Sequence, residues 1–427
     1  MRKDISADGL RGLAAVNVLL CHLFLAFLPG GFAWIYPDTT TPDAMRGVVD
    51  QVIAFQPLSV LWNGQFAVCI FFVLSGYVLT KSFIETGDTA TFRLRASRRY
   101  LRLGVPIFGS VMFAWFVMAM GWSHAVEAGH LSGSTWLADF WKKPPDFIEA
   151  LRDGTYGTIL GGWSRFNPTL WTMKIELLGS MFVFAYRSLT LPGRAAPLNF
   201  AFAVALLAWF FPHDWPYYTA FLAGSHVGEA RLTTSKPLLA LAVVGAIICG
   251  GFDVSPWYDW THVLPLADNE RKAFFNVVGG ILLLYVVRCG SFDRVLQSRP
   301  AQFMGRISYA FYLVHLPILL SFSAWFFTVM AGRLALDPVA AAMLTVPATF
   351  VVVITAAMVF DRTFDRWGIQ LAGRVFRAPR SSAKTVALRS VDGFRRRVRY
   401  HRRRIIGKEA PQAGVPRQRV KSACTGK

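Results

Sequence analysis

The chain has little charge for its length. Of 427 residues, 16% are Asp, Glu, Lys or Arg and 54% are hydrophobic. An ordinary soluble domain carries roughly 25% charged residues, so a large water-exposed globule is excluded. Cysteine is scarce and scattered. Cys21, Cys69, Cys249, Cys289 and Cys424 form no metal-type pair, which leaves neither a disulfide framework nor a zinc site to expect. No internal repeat is visible, and this weighs against an inverted-repeat transporter. The first apolar stretch has no small-residue cleavage site behind a short core, so it reads as a retained helix and not a signal peptide.

In place of these the chain has a succession of apolar runs. The expected fold class is an all-α integral membrane protein with about ten transmembrane helices, at 11–29, 58–80, 104–121, 168–186, 197–211, 216–228, 237–253, 272–288, 307–330 and 338–360. The formal charge of +20 is uneven: residues 374–427 hold seventeen Lys/Arg and two acids. Further basic clusters fall before the first run, between the second and third (Arg93, Arg95, Arg98, Arg99, Arg102) and between the eighth and ninth (Arg288, Arg294, Arg299, Arg306). The positive-inside rule then makes both termini cytoplasmic, in a cell membrane. A membrane domain over 1–377 followed by a disordered Arg-rich tail over 378–427 is expected. The tail is a partner for anionic lipid, and no nucleic acid is expected. The connection 122–167 carries Trp122, Trp136, Trp141 and Trp163, which reads as an interfacial belt, with direct substrate contact as the alternative.

Polar groups inside apolar runs are costly, so they mark function. Asp8, Arg11 and His22 share the first run. Arg11 and His22 are eleven residues apart, close to three turns, so they lie on one face with His22 about 16 Å deeper at 1.5 Å per residue. Asn167 and Pro168 read as N-cap and N1 of a helix carrying Trp171 and Glu176. Counted from that cap as the outer surface, Glu176 reaches the depth of His22, where a carboxylate could fix the imidazole's tautomer. Ser308, Tyr312 and His315 follow i, i+4, i+7 spacing on one face, with Pro317 freeing a backbone carbonyl nearby. Ser75 and Gly76 suit close helix packing. Arg99 and Arg102, with Arg98 beside them, could hold a pyrophosphate through charge-assisted hydrogen bonds, although ordinary positive-inside charge explains them as well.

In chain order these motifs resemble the acyltransferase 3 family of membrane O-acyltransferases, over roughly residues 5–365. The elements are Asp8-Gly-Leu-Arg11 with His22, Phe71-Phe-Val-Leu-Ser75-Gly76-Tyr77, Arg99-Tyr-Leu-Arg102, Leu170-Trp171-Thr-Met-Lys-Ile-Glu176, and Ile307-Ser308-Tyr309-Ala-Phe-Tyr312-Leu-Val-His315-Leu-Pro317. Pro106 falls one residue late, and Phe360-Asp361-Arg362-Thr363 replaces the closing motif. The resemblance implies transfer of an acyl group, often acetyl, from cytoplasmic acyl-CoA to a hydroxyl of a carbohydrate, surface polymer or secondary metabolite, without a metal. His22, Glu176 and Arg11 would be catalytic. Arg98, Arg99, Arg102 and Ser75 would bind the donor. Asp8, Trp171, Ser308, Tyr312 and His315 would support substrate or structure. A transporter using the same intramembrane charges is the rival reading.

Overall fold

A computed structural model describes residues 4–37, 39, 47–56, 58–190 and 196–376, and all regular structure among them is helical. The expected basic tail, with its boundary at 378, lies outside the described residues.

The principal helices are α1 (Ile5–Phe27), α2 (Gly64–Thr86), α3 (Thr89–Ala119), α4 (Trp171–Leu189), α5 (Ala196–Phe210), α6 (Trp215–Val227), α7 (Lys236–Gly250), α8 (Asp268–Arg288), α9 (Arg299–Ile318), α10 (Pro338–Phe360) and α11 (Arg366–Val375). Local chemistry sets their ends. Asp4, Asn63 and Asp88 cap α1, α2 and α3 by accepting from the backbone N–H groups of Ala7, Phe66 and Thr91. Asp337 caps α10 ahead of Pro338 in the same way. Gly87 closes α2 with a φ of 69°.

Five helical stretches are long and apolar enough to cross a membrane: Ile5–Phe27, Gly64–Thr86, Thr89–Ala119, Arg299–Arg333 and Pro338–Val375. They take up the first, second, third, ninth and tenth expected spans. The other five expected spans are also helical but do not meet that standard. α5 and α7 have 15 residues each and α6 has 13. α4 carries Lys174, Glu176 and Arg187, and α8 carries Asp268, Glu270, Arg271, Lys272 and Arg288.

Backbones meet where side chains are missing. A Cβ on Gly76 of α2 would strike the Phe221 carbonyl of α6, and one on Gly224 would strike that of Val73. The small residues beside Ser75 therefore serve close packing, as the sequence suggested. α1 and α9 pack along a similar seam. A Cβ on Gly12 would lie 2.5 Å from the Gly305 nitrogen, and one on Gly305 would strike the Asp8 carbonyl. The two helices run parallel from that seam, and its register reaches the candidate site.

Candidate functional site

His22 lies ten residues beyond Gly12 on α1, and His315 lies ten beyond Gly305 on α9. Equal spacing from a shared contact brings the two imidazoles level. His22 Nδ1 is 3.0 Å from His315 Nε2. His315 is fully buried, and its Nδ1 is 2.8 Å from the Tyr312 carbonyl one turn back. Trp136 stacks on His22, with centroids 5.5 Å apart and planes within 4°.

Trp136 belongs to the long connection, which is tied down by α1 itself. The last carbonyls of a helix have no intrahelical partner. Here Ser134 Oγ donates to the Leu25 carbonyl at 2.8 Å and Ser132 Oγ to that of Ala26 at 2.7 Å. That capping delivers the indole to His22. Of the two readings of this loop, the second suits Trp136, whose ring lines a cavity.

Two cavities flank this region. An aromatic cavity of about 310 Å³ is lined by His22, Trp136, Phe140, Trp171, Tyr36 and Tyr217, among others. Among the described residues, no Asp, Glu, Lys or Arg lines it. A basic cavity of about 290 Å³ is lined by Arg11, Arg99, Arg102 and Arg306 together with Glu176 and Asp365. Val68 and Tyr312 line both, so the two cavities meet there.

Most of the expected residues fall on these walls, but not with the expected partners. Arg11 pairs with Asp8 at 3.1 Å and faces the basic cavity. Ser75 Oγ donates to Glu176 Oε1 at 2.8 Å, Arg99 forms an ion pair with the same carboxylate, and Arg99 Nε donates to Ser180 Oγ at 2.9 Å. Glu176 therefore serves the arginines of the basic cavity and does not touch His22. The depth count did not predict the partner of Glu176. Asn167 does cap the turn Pro168–Leu170 that leads into α4, and it is fully buried within the protein. Its Nδ2 donates at 2.9 Å to the Leu313 carbonyl, the group whose helical partner Pro317 cannot supply. Ser110 Oγ donates to the same oxygen at 2.7 Å. With the cap already inside the bundle, Trp171 reaches the aromatic cavity, and Glu176 lies about 7.5 Å farther on at 1.5 Å per residue.

Arg98 is a second correction. It donates to the Phe376 carbonyl at 2.6 and 3.0 Å and does not line the basic cavity. Ser308 and Arg102 do line it. Tyr312 stands at the junction, its hydroxyl 3.0 Å from the Thr169 carbonyl and 2.9 Å from Thr172 Oγ1. Sequence reasoning missed Arg306 and Asp365 on the basic wall. Arg306 was legible only as loop charge, and Asp365 reaches the cavity through the π-helical turn Asp361–Asp365 that joins α10 to α11. Among the described residues, no three His, Cys, Asp or Glu side chains are grouped to hold a metal.

Comparison with known proteins shows the family. The family model of the acyltransferase domain (Acyl_transf_3) matches residues 4–361. The chain belongs to the acyltransferase 3 family. Among its relatives, acyltransferase clz18 of Cochliobolus lunatus is 22% identical over 406 residues, covering 76% of this chain and 85% of that protein. O-acetyltransferase PaAT-1 of Phomopsis amygdali is 26% identical over 370 residues, covering 73% and 71%. Acyltransferase R4 of a Phoma species is 23% identical over 400 residues, covering 75% and 84%. No solved structure matches. The protein is thus an acyltransferase, and its apolar helices make it a membrane protein.

Proposed function

We propose that this acyltransferase moves an acetyl group from cytoplasmic acyl-CoA to the hydroxyl of a largely apolar secondary metabolite. The observation that carries the reading is the meeting of a four-arginine cavity with an uncharged, His-bearing cavity at Val68 and Tyr312. CoA is polyanionic at one end and carries its thioester at the other. Arg99 and Arg102, with Arg11 and Arg306, suit its phosphates, and Glu176 holds Arg99 in place by their ion pair. The thioester then lies toward Tyr312. From the other cavity the acceptor oxygen attacks the thioester carbon while His22 takes its proton. The C–S bond breaks, and the CoA thiolate recovers that proton from His22.

The acceptor class follows from the aromatic cavity. A carbohydrate needs several free polar partners, because each buried hydroxyl left unpaired costs about 1–3 kcal/mol. Several of the polar lining side chains here are already engaged within the protein. Gln65 Nε2 donates to the Tyr217 hydroxyl at 2.7 Å, Thr169 Oγ1 to Asn167 Oδ1 at 2.8 Å, and Thr39 Oγ1 to the Tyr36 carbonyl at 2.7 Å. Aromatic rings without free charge favour an apolar alcohol over a sugar or polymer. An acetyl donor accords with the name of the Phomopsis relative. Both termini facing the cytoplasm accords with the basic loops, and anionic lipid would neighbour the tail.

The test is release of CoA thiol from acetyl-CoA by purified protein in liposomes, with and without candidate alcohols. His22→Ala is expected to lower acceptor-dependent release by about 100-fold or more, the usual contribution of a general base. Near-wild-type transfer by folded His22→Ala protein would remove His22 from the chemistry.

A further inference from the structure

Which nitrogen of His22 takes the proton is decided two residues away. The Tyr312 carbonyl can only accept a hydrogen bond, so His315 Nδ1, 2.8 Å from it, carries hydrogen. A neutral imidazole has one N–H, which leaves His315 Nε2 as a bare acceptor. The atom facing it at 3.0 Å is His22 Nδ1, which must therefore be the protonated nitrogen. His22 Nε2 is left with a free lone pair, and among the described residues no protein group is hydrogen-bonded to it. The relay runs one way, from a backbone oxygen that no side-chain substitution removes.

We propose that His315 is a positioning residue that fixes the tautomer of His22, making Nε2 the base. The proposal rests on the acyl-transfer reading above. When His22 Nε2 accepts the proton of the acceptor hydroxyl, the resulting imidazolium still donates from Nδ1 to the His315 lone pair. The Trp136 ring stacks on it at 5.5 Å, within cation–π range. When the thiolate leaves and recovers the proton, His22 returns to the same neutral tautomer. Without His315 the alternative tautomer competes, and a His22 protonated on Nε2 cannot act. This is the role expected of Glu176, whose carboxylate is committed to Arg99 and Ser75. The other titratable side chains lining the cavity are Tyr36, Tyr217 and Tyr312.

His315→Leu and His315→Gln separate positioning from packing. Glutamine keeps an amide oxygen able to accept from His22 Nδ1–H, and leucine does not. His315→Leu is expected to lower kcat by about 100-fold or more, since a lost tautomer has cost up to about 10⁴-fold in a serine protease triad. KM for acetyl-CoA should be unchanged, because the arginines line the other cavity. The acid limb of the kcat/KM profile should move to lower pH as the imidazolium loses its acceptor. Glutamine should restore at least tenfold of the turnover and return the limb toward its original position. An independent reading uses the unmutated protein labelled with ¹⁵N-histidine in liposomes, its His22 signals assigned by their loss in His22→Ala. The spectrum should show Nδ1 protonated and Nε2 bare. A protonated Nε2, or folded His315→Leu with wild-type turnover, would overturn the proposal. So would equal losses in both variants with an unshifted profile. Full transfer by His22→Ala would instead overturn the reading beneath it.

Discussion

Replacing Gly12 by alanine is expected to disable the imidazole pair from about 15 Å away, the rise of ten helical residues. The added Cβ would lie 2.5 Å from the Gly305 nitrogen and 2.8 Å from the Ala301 carbonyl oxygen. Both neighbours are backbone, so neither can rotate aside. Ordinary contact begins at 3.4 Å, so α1 and α9 must separate by about 1 Å. Carried along two rigid helices, that shift takes the His22–His315 distance from 3.0 Å to about 4 Å, beyond hydrogen bonding. A misplacement of 1 Å costs about 100-fold in turnover. Overpacking of this kind costs about 1–3 kcal/mol of stability, which leaves a folded population to assay. The measurement is acetyl transfer per folded molecule, with thermal denaturation in the same lipid. Gly373→Ala in α11, where nothing lies within 4 Å of the new Cβ, is the control and should leave turnover unchanged without lowering stability. Wild-type turnover in Gly12→Ala, or a loss no larger than the loss of folded protein, would refute the argument that the seam sets the site.

Two further outcomes are expected. Arg102→Ala should weaken acetyl-CoA binding severalfold, and most at low salt, whereas Arg98→Ala should leave it unchanged because Arg98 is bound to the Phe376 carbonyl; equal effects in a salt titration of binding would contradict the placement. Burial raises the Asp153 carboxyl to about 6. A raised folded-state value means that its contribution to stability is full below the unfolded value near 4 and is lost as pH rises through 6. Asp153→Asn should therefore raise thermal stability relative to the parent at pH 8 more than at pH 5, and a pH-independent difference would argue against that burial effect.

Local chemistry was readable in the sequence and azimuth was not. Asn167 as a cap, Ser75-Gly76 as a packing surface and the freed carbonyl beside Pro317 each depend on neighbours a few residues away, and each is found. The face shared by Arg11 and His22 follows from helical period alone, although the two residues serve different cavities. What failed was pairing across helices. A count of residues gives depth along one axis from an assumed start. It cannot show that Asn167 starts inside the bundle, or which way Glu176 turns. The stacking of Trp136 on His22 was out of reach for a similar reason, because the bonds from Ser132 and Ser134 to the end of α1 span more than a hundred residues and leave no periodic trace. Arg98 and Arg102 are four residues apart on one helix and indistinguishable by composition, yet only one faces the cavity.

The junction between the cavities also bears on which acyl groups can be carried. Tyr312 is held there by two hydrogen-bond partners, and Phe71 packs edge-on against its ring at 5.9 Å. A side chain so anchored does not swing aside freely, since each bond given up costs about 1 kcal/mol. In the proposed reaction a two-carbon acyl group reaches His22 with Tyr312 in place, while a longer chain must displace the phenol. On the proposed reaction the ring would act as a gauge of chain length, apart from the arginines proposed to hold the donor. Trimming it would then widen the range of acyl groups transferred while leaving the arginines of the basic cavity in place.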